Sequence, residues 1–184
     1  MSKPKITMNN LEDVTKSLES KTLRVCVIGI GRIGLPTALS FAKSGLETIG
    51  VDINKQLVDD INSGKFPLKD EPGYEDIFHS VIKNQKFSAT TNIEDAVPNS
   101  DLILLSLPTP MDENNIPDYT ALRTVASNLT EILSPHSLVI VESTIEPGFI
   151  EDEMVSLISK SGRLTAEQNF FIGVCPENAN PGEI

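Results

Sequence analysis

The stretch Val25-Cys-Val-Ile-Gly-Ile-Gly-Arg-Ile-Gly-Leu-Pro-Thr-Ala38 decides the fold of this chain. It runs an apolar strand straight into Gly29-x-Gly31-x-x-Gly34 and from there into a helical pattern. Each glycine has a mechanical task in that context. The first makes the tight strand-to-helix turn, the second lets the backbone approach a pyrophosphate, and the third lets helix and strand pack closely. The helix N-terminus beyond the turn carries free N–H groups and the positive end of the helix dipole, so it favours an anion. The next apolar strand ends in Ile49-Gly-Val-Asp-Ile53. Asp52 there falls near the ~20-residue offset at which a carboxylate accepts hydrogen bonds from the ribose hydroxyls of an adenine dinucleotide. A carboxylate at that position repels a 2′-phosphate, which selects NAD over NADP. Arg32 either reaches a cofactor phosphate or stands solvated on the first helical turn.

Outward from this unit the pattern alternates strictly. Apolar runs predict strands at Arg24–Ile30, Glu47–Ile53, Lys86–Thr90, Asp101–Leu107, Leu138–Ser143 and Asn169–Cys175. Helical periodicity falls between them, at Arg32–Ser44, Lys55–Asn62, Tyr74–Lys83, Ile93–Val97, Tyr119–Leu133 and Phe149–Ser159. Continuous apolar strands such as Leu102–Leu107 and Leu138–Val141 imply burial on both faces, as a parallel sheet covered by helices requires. The expectation is an α/β, doubly wound parallel sheet of Rossmann-like type in a single domain, with strand order 3-2-1-4-5-6. Residues 1–20 are polar, with a short amphipathic stretch from Leu11 to Leu18, and read as an extension ahead of a domain spanning 21–184. In such a sheet ligands bind beyond the carboxyl ends of the strands. Those positions here carry Leu107-Pro-Thr-Pro110, Glu142-Ser-Thr-Ile-Glu-Pro-Gly148 and Cys175-Pro-Glu-Asn-Ala-Asn-Pro-Gly182.

Composition narrows the classes. The 184 residues carry a formal net charge of −11, which opposes a general role on nucleic acid or an anionic membrane. Anionic ligands must therefore be held locally, by backbone N–H groups and single cations. No apolar run approaches the ~20 residues that span a bilayer, and the first ten residues show no secretory pattern, so a cytoplasmic location is expected. Cys26 and Cys175 stand alone, without a CxxC or Cys/His cluster; they read as small buried apolar residues, with no metal site and no disulfide. His79 and His136 are isolated and read as surface or structural residues.

Taken together, Gly29–Ala38, Val51-Asp-Ile-Asn54, Glu71-Pro-Gly73, Leu107–Pro110, Pro117-Asp118, Glu142-Ser-Thr144 with Pro147-Gly148, and Cys175-Pro-Glu177 with Pro181-Gly182 resemble the NAD-binding domain of the UDP-glucose/GDP-mannose dehydrogenase family. The likeness is strongest to its UDP-N-acetyl-D-mannosamine 6-dehydrogenase branch. It implies oxidation of the C6 alcohol of a UDP-sugar to a carboxylate by two hydride transfers, each to one NAD. It further implies that Ile33 and Asp52 contact NAD, that Thr109 packs beside the nicotinamide-proximal ribose or phosphate, and that Thr144 and Glu177 hold a water or proton relay near C6. On the residues alone, Thr109 could instead shape a rigid turn, Thr144 could cap a following helix, and Glu177 could be an exposed loop acid. Glu142 and Glu146 read as supporting or solvated residues. Asn178 stands where the family pattern places an arginine, and an asparagine cannot make a bidentate charged grip.

In the family the nucleophilic cysteine and catalytic lysine belong to a C-terminal UDP-sugar domain. The expectation is a cofactor half that is inactive alone and completed by such a domain, or associated with further copies of itself through a free sheet edge. The alternatives are a non-catalytic NAD-binding or sensing module and a β-hydroxyacid dehydrogenase of the same doubly wound class; Leu107–Pro110 and Cys175–Gly182 argue against the latter.

Overall fold

The computed structural model describes residues 10–71 and 73–176. In chain order it contains α1 (Leu11–Glu19), β1 (Arg24–Ile28), α2 (Gly34–Lys43), β2 (Glu47–Val51), α3 (Lys55–Asn62), α4 (Tyr74–Lys83) and β3 (Phe87–Thr90). There follow α5 (Ile93–Ala96), β4 (Leu102–Leu105), α6 (Thr120–Ile132), β5 (Leu138–Val141), a π-helical turn at Ile150–Met154, α7 (Val155–Ile158) and β6 (Phe171–Val174). The six strands form one sheet in the order β3-β2-β1-β4-β5-β6, every neighbouring pair parallel. This is the doubly wound arrangement that the alternating pattern predicts.

Side chains of a strand point alternately to opposite faces, and β1 shows how this builds two cores. Val25 and Val27 pack with Leu35, Leu39, Ile61 and Phe78 on the face covered by α2, α3 and α4. Cys26 and Ile28 pack with Ile103, Leu105, Leu122 and Leu129 on the face covered by α6 and α7. Each such fully buried aliphatic or aromatic side chain contributes about 1.5–3 kcal/mol relative to exposure. Asn54 and Asn92 cap α3 and α5 by accepting from the N–H groups of Leu57 (3.2 Å) and Glu94 (3.0 Å). The start of α2 has no side-chain cap, so its first-turn donors are left to other partners. No helix among the described residues is long and apolar enough to cross a membrane.

The structure corrects four expectations. Most strands leave the sheet about two residues earlier than their apolar runs suggest: β1 ends at Ile28, β2 at Val51, β4 at Leu105 and β5 at Val141. The residues beyond, Gly29, Asp52, Ser106 and Glu142, turn away to line a cleft. Burial on both faces holds for β1 and β4 but weakens toward the edge, where Leu138 and Ile140 are only half-buried and Val174 is exposed. Finally, the segment after Phe149 starts as a π-helical turn and becomes α-helical only at Val155, and Cys175 is exposed because β6 is an edge strand.

Candidate cofactor site

The cleft opens at the carboxyl ends of β1 and β4, where the strand order reverses, and encloses about 990 Å³. Its first wall is the glycine turn. Gly29 has φ +88°, a left-handed conformation that a side chain resists, and a Cβ there would meet the Ser106 carbonyl oxygen at 2.4 Å. At Gly34 a Cβ would come within 1.9 Å of the Gly29 carbonyl oxygen, so helix and turn meet backbone to backbone. Gly31 is different: nothing in the protein lies within 4 Å of a Cβ placed on it. The protein's own packing makes no demand for glycine there, and the free space faces the cleft, where an incoming diphosphate would use it.

Asp52, just past β2, forms the far end of this wall. Its Oδ2 accepts from the Ile30 N–H (3.1 Å) and its Oδ1 from the Asn54 N–H (2.9 Å), so both oxygens are held in place. Ile53 beside it is almost fully exposed at the lip. Arg32 and Ile33 also line the cleft. The Arg32 guanidinium is about half exposed, is paired with Asp70 and lies 3.4 Å from Glu71.

The opposite wall is made by the segments after β4 and β5. The Ser143 hydroxyl accepts from the Leu107 N–H (2.9 Å) and reaches the Leu107 carbonyl (2.8 Å), stitching the two segments together. The Ser106 hydroxyl donates to the Glu142 carboxylate directly below the turn. Thr109 stands half-buried between Pro108 and Pro110, and Thr144 is exposed to the cleft. The next helical turn starts only at Ile150 behind Phe149, so Thr144 caps no helix. The Tyr119 hydroxyl accepts from the Glu146 N–H (2.9 Å) and anchors the loop that follows.

Gly29, Gly31, Arg32, Ile33, Asp52, Thr109 and Thr144 are thus brought to one cleft, with Gly34 packed beneath its turn. Glu177 and Asn178 lie outside the described residues. Sequence reasoning missed Ser106, although it directly follows a strand, and read Glu142 as a supporting or solvated residue, in keeping with its hydrogen bond to Ser106. It also missed Ala121, Thr124, Val125 and Asn128, which present one face of α6 to the cleft. Their i, i+3, i+4, i+7 spacing, which sets them on one face of the helix, is the signal that could have found them. Of the two cysteines, Cys26 is buried in β1, and burial pushes its thiol up to about 12, so it is no nucleophile at neutral pH.

Comparison with known proteins agrees with this geometry. A model of the UDP-glucose/GDP-mannose dehydrogenase family, NAD binding domain, matches residues 23–184. The chain is 35% identical over 168 residues to a UDP-N-acetyl-D-mannosamine dehydrogenase of Campylobacter jejuni, covering 88% of this chain and 40% of that protein. Among solved structures, the UDP-D-ManNAc dehydrogenase of Pyrococcus horikoshii superposes with a TM-score of 0.80 at 33% identity, over 87% of this chain and 37% of that one. A ternary complex of GDP-mannose dehydrogenase from Pseudomonas aeruginosa gives a TM-score of 0.82 at 29% identity, over 87% and 37%. The chain therefore spans about two fifths of the length of these relatives. A cleft walled by a glycine turn with room at Gly31 and by a fixed carboxylate at Asp52, on a fold shared along the whole matched region, places this chain in the UDP-glucose/GDP-mannose dehydrogenase family as an NAD-binding domain.

Proposed function

We propose that this chain is the cofactor half of a nucleotide-sugar 6-dehydrogenase, which oxidises the C6 alcohol of a UDP-sugar to the carboxylate with two NAD. The observation that carries the reading is the two-walled cleft: one wall suits a dinucleotide, and the other brings hydroxyl and carboxylate groups to the place where a substrate would meet it. UDP-N-acetylmannosamine is the proposed sugar, because several of the similar relatives are named for it.

NAD, when bound, supplies the hydride acceptor. This chain's residues supply the rest. Gly31 and the uncapped start of α2 accommodate the diphosphate, since backbone N–H groups and the helix dipole favour an anion there. Asp52 receives the adenosine ribose hydroxyls and repels a 2′-phosphate. Ile33 packs against the cofactor, and Thr109 holds the nicotinamide-proximal ribose or phosphate. Thr144, with Glu177, orients the water or carries the proton near C6; a hydroxyl and a carboxylate at adjacent strand ends can share one water and pass its proton. Cys26 is sealed inside β1; as the family resemblance implies, the covalent nucleophile would come from a complementing domain, which leaves the isolated chain inactive.

The test is a calorimetric titration of the purified chain with NAD, with NADP as control. Saturable binding of one NAD per chain and none of NADP is expected. A folded sample that binds neither overturns the reading.

A further inference from the structure

Arg32 sits between Gly31 and Gly34 on the cleft wall, and two carboxylates hold its guanidinium from behind. They differ sharply in their surroundings. Glu71 has a fully buried side chain 3.4 Å from Arg32 Nη1. Its N–H donates to the Leu68 carbonyl (3.0 Å), and nearby Phe66 is buried in the core under α2 and α4. Asp70, paired with Arg32 Nη2, keeps 62% of its side chain exposed. Two carboxylates share one guanidinium, so a diphosphate reaching for Arg32 must compete with acids already on it. An ion pair this exposed is worth about 0–1 kcal/mol, so Asp70 yields readily; a buried carboxylate deprived of its cation does not. A diphosphate can take a guanidinium through two parallel hydrogen bonds and hold it better than one mobile carboxylate.

We infer that Asp70 is a built-in competitor for the cofactor's diphosphate, occupying Arg32 in the free chain and releasing it on binding while Glu71 keeps the arginine at the cleft. The inference rests on the cleft being the NAD site. Its effect is to lower apparent affinity by the fraction of molecules whose arginine is occupied. In an enzyme that must exchange two cofactors per substrate, such tempering speeds release.

The experiment compares the wild-type chain with Asp70→Asn, Arg32→Gln and the double variant, by calorimetric titration with NAD and by NMR titration with adenosine, which lacks the diphosphate. Asp70→Asn should bind NAD about 2- to 5-fold more tightly and adenosine unchanged. Arg32→Gln should weaken NAD binding, and the gain from Asp70→Asn should vanish in the double variant. Unchanged or weaker NAD binding by Asp70→Asn overturns the inference, as does an equal gain for adenosine or in the Arg32→Gln background. A wild-type chain that binds neither ligand fails at the cofactor site itself, before any variant is compared.

Discussion

The turn after β1 and the loops after β4 and β5 face each other across one cleft, yet they are built by different means. The first wall is backbone: Gly29 needs its left-handed φ, and Gly34 must let a carbonyl come closer than any side chain permits. The second wall is side chains, with Ser143 bridging the β4 and β5 segments and Ser106 bound to Glu142. A backbone wall tolerates almost no substitution and holds one shape. A side-chain wall can be retuned one residue at a time.

Substitutions can break or sharpen this contrast. Gly34→Ala should be the most damaging, because a Cβ 1.9 Å from the Gly29 carbonyl cannot be relieved by a rotamer change. The expected loss is about 3 kcal/mol or more, read as a fall of roughly 10 °C in thermal midpoint. A normal midpoint would mean the turn is as adaptable as the opposite wall. Gly31→Ala should separate folding from binding: with open space around its Cβ, the midpoint should stay within about 2 °C while NAD affinity drops about tenfold or more. Calorimetry and a melt on the same sample decide it.

On the second wall, Ser143→Ala leaves the Leu107 N–H without the hydroxyl it donates to. It should cost about 1–2 kcal/mol in denaturant unfolding and loosen the Pro108–Pro110 segment rather than unfold the chain. The smallest effect belongs to Arg123, whose guanidinium binds Glu153 at 2.5 and 2.8 Å and lies 5.8 Å from the Tyr119 ring centre. That pairing holds the Glu153 carboxyl below its usual range. A depressed carboxylate contributes stability above its unfolded pKa, and the contribution disappears as pH falls through the lower folded value. Arg123→Ala should therefore lose less than about 1 kcal/mol at pH 7, the pair being partly exposed, and the difference from wild type should shrink toward pH 3. An equal loss at both pH values would assign the effect to ring packing instead of charge.

The same contrast explains what could be read from the sequence. The order of elements, the strand order and the glycine turn were legible because alternation and backbone sterics are properties of short stretches. Asp52 was legible because its offset from the turn is set by the length of one βαβ unit. The Ser106–Glu142 contact spans 36 residues and the Arg32–Glu71 contact spans 39, and both depend on how two loops meet after the sheet has formed. No local pattern announces them, so neither the Ser106 partner of Glu142 nor the Asp70 and Glu71 partners of Arg32 could be foreseen. The strands were drawn too long for a related reason. Ile30, Ile53 and Leu107 carry the apolar runs past Gly29, Asp52 and Ser106, where the strands have already ended.

Asp52 joins the two β strands nearest the turn in a way that bears on how a ligand is welcomed. With one oxygen on the Ile30 N–H and the other on the Asn54 N–H, its rotamer is frozen before any ribose arrives. The entropy of holding that side chain still is lost during folding rather than during binding, so a ribose bound there as proposed would meet a receptor that needs no rearrangement. The two loops also become one mechanical unit. A disturbance that frees the end of β2 will be felt at the glycine turn even though no residue there has changed.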